Sequence, residues 1–427
     1  MDTIFALATA RGKSGLAVIR ISGPESLAMA TTYCGQLPAG GRGLRRIVDG
    51  EGQIIDEALI LVFPEGHSFT GETVVELHLH GSTAIVKATL ALLGGDGRGR
   101  LAEPGEFTRR ALENGRLDLA QVEGLADLID AETEGQRKQA MRVFAGALGD
   151  RAAMWREKLV RAAALVAATI DFVDEDVPVD VYPEVRALLG DVTQDLKREI
   201  DGVKVAERIR DGFEVAIVGA PNVGKSTLLN RLAGRDAAIT SEFAGTTRDV
   251  IEVRMDLDGL PVTLLDTAGI RETGDYVEEI GISRGLERAA LADLRVLLVE
   301  DATDVPDLFR EGDIIVVAKG DSYAGDAPSV SGKTGLGVDA LVAKITAVLQ
   351  KRVMSAGVAV RERHELAMRA CVECLDNVEG LLRNDTALAD LIAEELRAAI
   401  GSLDALVGRV DVEDLLDEIF VSFCIGK

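Results

Sequence analysis

The run FEVAIVG at 213–219 and the glycine-rich motif that follows it constrain the fold of this chain most strongly. The run is almost continuously apolar, as expected for a strand that is buried on both faces of a parallel sheet. Gly219-Ala-Pro-Asn-Val-Gly224-Lys225-Ser226 then matches G-x-x-x-x-G-K-[ST], and KSTLLNRLAG predicts the helix that should follow. In such a loop, backbone N–H groups surround a β-phosphate, Lys225 neutralises phosphate charge and the Ser226 hydroxyl can bind Mg²⁺. A glycine-rich turn without a ligand is the alternative, and the intact spacing makes it the weaker interpretation.

A second group of motifs follows at the spacing of a GTPase. GTTRD at 245–249 precedes the strand candidates VIEVRMDL and PVTLLD, which Asp258-Gly259 would join as a hairpin. The second strand ends in Asp266-Thr267-Ala268-Gly269. Thr247 would complete a Mg²⁺ shell, Asp266 would hold a metal-bound water, and the N–H of the last glycine would contact a γ-phosphate. Together and in this order, the motifs favour a GTPase over other P-loop proteins.

The base-recognition motif departs from the usual pattern. Ala318-Lys319-Gly320-Asp321 stands where N-K-x-D is usual, so the Asn that would contact the purine N7 edge and brace the P-loop is missing. Asp321 can still pair with N1–H and the 2-amino group of guanine, and adenine would leave this carboxylate unpaired. Ser331-Gly332-Lys333 replaces S-A-K, and the glycine N–H can still reach O6, although a glycine loop loses more entropy. We expect retained guanine selectivity with reduced affinity; a degenerate pocket is the alternative.

The group that activates water is not fixed by these motifs. Ile270 follows DTAG, at the position where Ras-like enzymes have the Gln that orients the attacking water. Acidic residues further along could replace it, although a solvated loop charge is the preferred interpretation of each one alone. These candidates are Glu272, Asp275, Glu278 and Glu279.

The rest of the chain alternates between mixed and helical segments. LAVIRIS (16–22), EALILVF (57–63) and VVELHLH (74–80) predict strands of a small α+β domain. Residues 117–209 show helical spacing with a break near 173–183, and helical patterns return after 351. Because domain insertion is tolerated where termini lie close together, the two helical blocks are predicted to form one interrupted domain. The predicted domains are 1–116 (α+β), 117–211 (first helical segment), 212–350 (α/β) and 351–427 (second helical segment).

Charge and cysteine content exclude some classes of protein. The net charge is −24, but residues 1–118 carry 12 Lys and Arg, Arg110 among them, against 14 Asp and Glu, so their net charge is only −2. A polyanion such as RNA would therefore meet least repulsion there. Four Cys match no disulfide framework, and neither a secretory signal nor a run long enough to cross a bilayer is visible, so we expect a soluble cytoplasmic protein.

Motifs inside and outside the α/β segment resemble those of one family. GAPNVGKST, AGTTRD, DTAGIRET, VEEIGI and the final FCIGK, with DTIFALAT and RISG near the start, resemble the MnmE (TrmE) family of tRNA-modification GTPases over essentially the whole chain. The resemblance implies a multidomain α/β plus α fold. Its components would be an N-terminal α+β folate-binding domain that dimerises, a helical domain split in sequence, and an inserted Ras-like P-loop GTPase domain.

The resemblance also implies roles in GTP hydrolysis. Glu278 matches the family's catalytic acid, which acts on the attacking water through a bridging water, and Arg248 is a basic candidate nearby, for which a structural salt bridge is an equal alternative. A K⁺ ion would take the place of an arginine finger, with Asn222 as its side-chain ligand and Ser241, Phe243 and Thr246 in the loop that completes its shell. Mg²⁺ would be held by Ser226 and Thr247. The residues expected to bind GTP are Asn222, Val223, Gly224, Lys225, Ser226, Thr227, Ser241, Thr246, Thr247, Asp266, Thr267, Ala268, Gly269, Lys319, Asp321, Ser331, Gly332 and Lys333.

In the N-terminal domain, the resemblance implies a site for 5-formyltetrahydrofolate or methylenetetrahydrofolate. Its residues would be Arg20, Glu76, Arg116 and Lys427, although from sequence alone surface charge is the preferred interpretation of each. Cys424 would lie beside the folate; a buried small hydrophobe is the alternative, as it is for Cys371 and Cys374, for which a metal role is weaker. His78 and His80 are interpreted as structural or substrate-adjacent residues rather than metal ligands.

The resemblance finally implies partners and a reaction. A homodimer would form a heterotetramer with the flavoprotein MnmG (GidA) and modify the wobble uridine of tRNA with a folate one-carbon unit. An RNA-binding ribosome-assembly GTPase is the rival interpretation, and a scaffold without nucleotide turnover, motivated by Ala318, is a third. Tetrahydrofolate binding would distinguish the tRNA-modification GTPase from the ribosome-assembly GTPase.

Overall fold

The chain forms two compact units. The computed structural model describes residues 2–171, 180–235, 238–239, 252–266, 287–303, 309–383, 389–409, 420 and 426. The first unit is Met1–Ala126 with Asp404–Lys427, and the second is Asp127–Leu403. The last stretch of the chain therefore belongs with the N-terminal residues, and the predicted domain boundaries stay predictions. No helix in the described ranges is both long and apolar enough to cross a membrane.

The first unit is built on one mixed sheet. Its six described strands follow the order β3-β4-β5-β2-β1-β6. The three strands predicted at 16–22, 57–63 and 74–80 are confirmed, while β1, β3 and β6 were not predicted. The elements are β1 (Thr3–Leu7), β2 (Ala17–Ser22), α1 (Ser26–Cys34), β3 (Arg42–Val48), β4 (Ile54–Phe63), β5 (Val74–Leu79), α2 (Thr83–Gly95), β6 (Gly99–Leu101), α3 (Glu106–Glu113) and the start of α4 (Leu119–Asp130).

The two faces of this sheet have different partners. Ile19 and Ile21 of β2 point with Leu77 into the core that α1 and α2 complete. Because side chains alternate along a strand, Arg20 lies on the opposite face. Phe107 of α3 packs near it in a second, smaller core. One face is thus a hydrophobic core, and the other carries charged residues.

The second unit combines long helices with a parallel sheet. The predicted strands at 213–219, 295–300 and 313–318 are confirmed, and so is helix along most of 117–209. Its elements are α5 (Glu134–Phe144), α6 (Ala147–Asp171), α7 (Tyr182–Asp211), β7 (Phe213–Gly219), α8 (Lys225–Ala233), β8 (Glu252–Leu257), β9 (Leu260–Asp266), β10 (Leu294–Val299), β11 (Ile314–Ala318), β12 (Ser329–Val330), α9 (Val338–Val353), α10 (Glu362–Arg383) and α11 (Ala389–Leu406).

The sheet of the second unit has an α/β topology. Its described strands follow the order β12-β11-β10-β7-β9-β8, and all neighbours are parallel except β8 and β9. Apolar residues of α8 and α9 cover one face. The predicted combination of an N-terminal α+β domain, helical segments and a P-loop α/β domain is therefore confirmed.

The predicted Asp258-Gly259 hairpin is also confirmed, and its turn contacts helix α5. Both turn residues have positive φ (55° and 85°), and Leu257 pairs with Leu260 across the turn. The Gly135 N–H donates to the Gly259 carbonyl at 2.9 Å, and a Cβ on Gly135 would lie 2.4 Å from that oxygen. The first turn of α5 is thus held against the tip of the β8–β9 hairpin.

Candidate functional site

The glycine-rich loop lies between β7 and α8, as the sequence predicts. A Cβ on Gly219 would lie 2.4 Å from the Leu298 carbonyl of neighbouring β10, so only glycine fits there. Asn222 (φ 58°) and Gly224 (φ 115°) adopt the left-handed conformations that curl the backbone. Val223 between them is buried in the core, which anchors the loop. The loop therefore has the shape that lets successive N–H groups surround a phosphate.

Lys225 is held inside this loop. Its Nζ donates to the carbonyls of Gly219 (2.8 Å) and Ala220 (2.9 Å), and the residue is only 6% exposed. Burial lowers the pKa of this ammonium, and the nearby Asp266 carboxylate partly opposes the shift. A cation that is fixed among carbonyl dipoles and is itself almost shielded from water can act strongly on phosphate charge.

Ser226 and Asp266 meet beside the loop. The Ser226 Oγ donates to the Asp266 Oδ2 at 2.8 Å, and Asp266 is 3% exposed at the carboxyl end of β9. A hydroxyl and a carboxylate are oxygen ligands of the kind that Mg²⁺ prefers, directly or through water. These donors fit a Mg²⁺ ion bound next to a nucleotide phosphate.

The two predicted base-recognition segments also lie together. Lys319 (φ 53°) follows β11, and its Nζ is 3.5 Å from Glu300 on the surface. A hydrogen bond from the Ser331 hydroxyl lowers the pKa of the Asp321 carboxyl, and Lys333 contributes to the shift. Ser331 is 2% exposed, and its Oγ accepts a hydrogen bond from the Thr334 N–H at 3.2 Å, which holds the hydroxyl in place near the Asp321 carboxylate. The arrangement can present Asp321 to the N1–H edge of a guanine.

Thr227, in the first turn of α8, is exposed beside Ser226. Other predicted residues lie outside the described residues. They are Ser241, Phe243, Thr246, Thr247, Arg248, Thr267, Ala268, Gly269, Ile270, Glu272, Asp275, Glu278, Glu279, Cys424 and Lys427.

In the first unit, Arg20 and Glu76 form a pair across β2 and β5. The Arg20 Nε donates to the Glu76 Oε1 at 2.9 Å, and the other carboxylate oxygen lies 3.1 Å from the His78 Nε2. The guanidinium stacks near Phe69 and Phe107, at 5.5 and 5.6 Å from their ring centres. The alternative interpretation of Arg20 and Glu76 as ordinary surface charge is therefore wrong, since both side chains are mostly buried.

Two further segments approach this pair. Arg116 is exposed after α3, and its Cγ packs against Gly71, two residues from Phe69. Gly426 (φ 103°) lies so close to the Leu7 carbonyl that no Cβ would fit, and the preceding residue of β1, Ala6, pairs with Arg20. The chain near its C-terminus thus lies beside the strand next to Arg20.

Sequence reasoning missed the neighbours of Arg20. Phe69 and Phe107 lie in the motifs HSFTGE and EFTRR, and only the scarcity of aromatic residues (4%) could have drawn attention to them. The positions of these rings next to Arg20, and the contact between His78 and Glu76, depend on how the strands pair in the folded sheet.

Two of the described cysteines are buried, and the largely exposed side chain of His80 contacts a buried carboxylate. Burial raises the pKa of the Cys34 thiol to about 11 and that of Cys371 to about 12, so both are inert thiols. The His80 Nδ1 lies 2.8 Å from the Asp56 carboxylate. The described residues contain no group of three metal-ligating side chains.

Comparison with known proteins gives consistent relatives. The sequence matches the family described as MnmE helical domain over residues 119–424 and that described as GTP-binding protein TrmE N-terminus over residues 3–116. It is 59% identical to the tRNA modification GTPase MnmE of Roseobacter denitrificans and 60% identical to that of Cereibacter sphaeroides, with 100% of each chain covered in both cases.

Solved structures match over a smaller share of the chain. The G domain of the T. maritima FeoB iron transporter is 24% identical and covers 32% of this chain and 98% of its own, with a TM-score of 0.23. A GTP-binding protein from Sulfolobus solfataricus in complex with GDP is 17% identical and covers 46% of this chain and 67% of its own, with a TM-score of 0.24.

Proposed function

The chain belongs to the MnmE (TrmE) family of tRNA modification GTPases, and we propose that it is a K⁺-stimulated, Mg²⁺-dependent enzyme of the cytoplasm that uses a folate one-carbon unit. The family resemblance predicted from the sequence is confirmed. GTP hydrolysis is the family's activity, and the Lys225 ammonium fixed next to the Ser226–Asp266 pair is the observation that supports it best in this chain.

Different residues of the nucleotide site would bind the phosphates, the base, Mg²⁺ and the attacking water. Lys225 and the N–H groups of 222–226 bind the phosphates, and Asp321, oriented by Ser331, binds the base. Ser226 and Thr247 would hold Mg²⁺, which neutralises charge on the β- and γ-phosphates when bound. Glu278 would orient the attacking water through a second water.

We expect GTP turnover by this chain to depend on potassium. Asn222 would supply one ligand of K⁺, with oxygens from the loop of Ser241, Phe243 and Thr246, and the ion would offset charge at the β/γ bridge. We expect GTP turnover at least about tenfold faster in KCl than in NaCl at equal ionic strength. The Asn222→Ala variant should lose this difference. Equal turnover of the unmodified protein in both salts would contradict the proposal.

The folate would bind at the Arg20–Glu76 pair. A carboxylate and a guanidinium can pair with the donor and acceptor edges of a pterin, and the glutamate tail requires cations such as Arg116 and Lys427. The buried pair, its aromatic neighbours and the closeness of Gly426 support this site. Cys424 would lie beside the bound folate.

The reaction would require a dimer and a flavin-dependent partner, MnmG (GidA), acting with this chain on the wobble uridine of tRNA. Nucleosides from tRNA of a deletion strain provide the test of this reaction. We expect 5-aminomethyl-type and 5-carboxymethylaminomethyl-type wobble uridines to disappear, as measured by mass spectrometry, and to return with the unmodified gene. A Glu76→Gln gene should restore them poorly. Unchanged nucleosides in the deletion strain would reject this reaction.

A further inference from the structure

The loop that carries Ser331 lies directly on the helix that follows the phosphate-binding loop. Two residues in this region depart from the usual GTPase pattern: Ala318 replaces an Asn that would brace the P-loop, and Gly332 replaces an Ala. In the structure, both residues bear on how the base-recognition loop is held next to α8.

Gly332 touches the backbone of α8. A Cβ on Gly332 would lie 2.6 Å from the Leu228 nitrogen and 2.7 and 2.8 Å from the carbonyl carbon and oxygen of Thr227. Real Cβ atoms essentially never come this close, and backbone atoms of a helix cannot rotate away. The loop therefore lies closer to α8 than any residue other than glycine would allow.

Hydrogen bonds keep the rest of this loop in the same place. The Ser331 N–H donates to the Leu336 carbonyl (2.9 Å), and the Gly335 N–H donates to the Ser331 carbonyl (2.8 Å). Arg231 of α8 reaches the Thr334 carbonyl at 3.4 Å. The loop is thus a closed turn that contacts α8 at two places.

Ala318 offers no polar link of its own. It pairs with Val330 in the parallel β11–β12 register, and its methyl group belongs to the buried core, with 6% exposure. A methyl group cannot donate to the P-loop or to the 331–334 loop. The base-recognition loop is therefore joined to α8 by close packing at Gly332 and by the hydrogen bond from Arg231 to the Thr334 carbonyl, and Ala318 takes no part in either contact.

We propose that Gly332 is a positioning residue for guanine recognition, which replaces the missing Asn brace by direct backbone packing of the base-recognition loop on α8. The inference rests on the proposed nucleotide site. It goes beyond that site because it adds to the expected contact of the Gly332 N–H with O6 a second role, the packing of Gly332 on α8 that positions Ser331 and Asp321. In this chain Ala318 is tolerated because Gly332 is present.

The test begins with Gly332→Ala in the full chain. The added methyl group must push the loop away from α8, which shifts Ser331 and, through it, the Asp321 carboxylate. We expect GDP and GTP to bind about tenfold more weakly, mainly through faster dissociation, since small misplacements of recognition groups are costly. The preference for GTP over XTP should fall as well, because only a displaced Asp321 changes that ratio. Stopped-flow fluorescence with labelled nucleotides measures both.

Ala318→Asn, alone and combined with Gly332→Ala, tests whether packing at Gly332 takes the place of the missing Asn. The amide should recover most of the lost GTP affinity in the double variant, because it supplies the side-chain brace when packing is relaxed. In the unmodified background its gain in GTP affinity should be smaller, limited to the contact with the purine N7 edge, because packing at Gly332 already holds the loop. A double variant as weak as Gly332→Ala alone would overturn the proposal, as would a Gly332→Ala variant that binds GTP within about twofold of the unmodified protein.

Gly190→Ala is the matched control, since a Cβ there meets no atom within 4 Å. It should leave nucleotide binding unchanged. Thermal unfolding of each nucleotide-free variant shows whether it is folded. If the unmodified protein failed to bind GTP, the proposed function would be lost; normal GTP binding with an unaffected Gly332→Ala variant would reject only this inference.

Discussion

Alanine in place of Lys225 is expected to lower GTP turnover at saturating nucleotide by about 10²–10³-fold. The ammonium is fixed by the Gly219 and Ala220 carbonyls at 2.8 and 2.9 Å, so it needs no reorganisation when charge develops on a transferred phosphoryl group. It is also nearly removed from water, where its charge would be screened. A neutral side chain would leave the phosphate charge to the backbone N–H groups and to the proposed Mg²⁺ and K⁺ ions.

Single-turnover hydrolysis measures this effect without the contribution of product release. Lys344→Ala, an exposed lysine of α9 in the same α/β domain, is the matched control and should retain full turnover. Thermal unfolding should show that both variants are folded. Turnover of Lys225→Ala within about threefold of the unmodified protein would mean that Lys225 does not act on the transferred group.

The sequence predicts the geometry of the candidate nucleotide site well where that geometry is local. Lys225 and Ser226 lie at fixed positions of one strand–loop–helix unit, so the spacing of the motif determines their placement. Asp266 is predictable because an apolar parallel strand ends at the same sheet edge as β7. Continuous apolar runs likewise identified β7, β10 and β11.

Short edge strands and long-range contacts could not be predicted in the same way. β6 has three residues, and β3 (RGLRRIV) shows a polar pattern because it pairs with β4 alone. The packing of Gly332 on α8 joins residues about a hundred positions apart, and no periodicity reports such a contact. The burial of Arg110 could not be predicted either, because it depends on carboxylates that come together only in the folded chain.

Arg110, one of the 12 cations of residues 1–118, is 4% exposed in the structure. Its guanidinium donates to the Asp2 carboxylate (2.7 Å), to Glu72 (3.1 Å) and to Glu106 (2.9 Å). Glu72 and Glu106 are themselves mostly buried. The positive charge of Arg110 is therefore balanced by carboxylates inside the first unit and does not contribute to the surface charge of residues 1–118.

Arg110→Met should lower the free energy of unfolding of the first unit by about 3–5 kcal/mol, because it leaves buried carboxylates without their counter-charge. The chain has a single Trp, and Trp155 lies in the second unit. Hydrogen exchange of the β1 and β2 amides should therefore accelerate strongly, while the Trp155 fluorescence transition in urea stays in place. Arg42→Met, on exposed β3, is the control and should leave exchange unchanged.

The pH dependence of the same variant separates lost charge pairing from lost packing. Burial alone would raise the pKa of Glu106, but hydrogen bonds from Arg100, the Glu103 N–H and Arg110 outweigh it and leave this pKa lowered. A carboxyl group whose pKa is lowered by folding stabilises the fold above its unfolded pKa of about 4.3, and this contribution is lost as the pH falls through the folded value. The difference in the free energy of unfolding between the unmodified protein and Arg110→Met should thus be largest near neutral pH and should shrink below about pH 4. A gap that stays constant down to acid pH would mean that Arg110 stabilises the unit by packing rather than by charge.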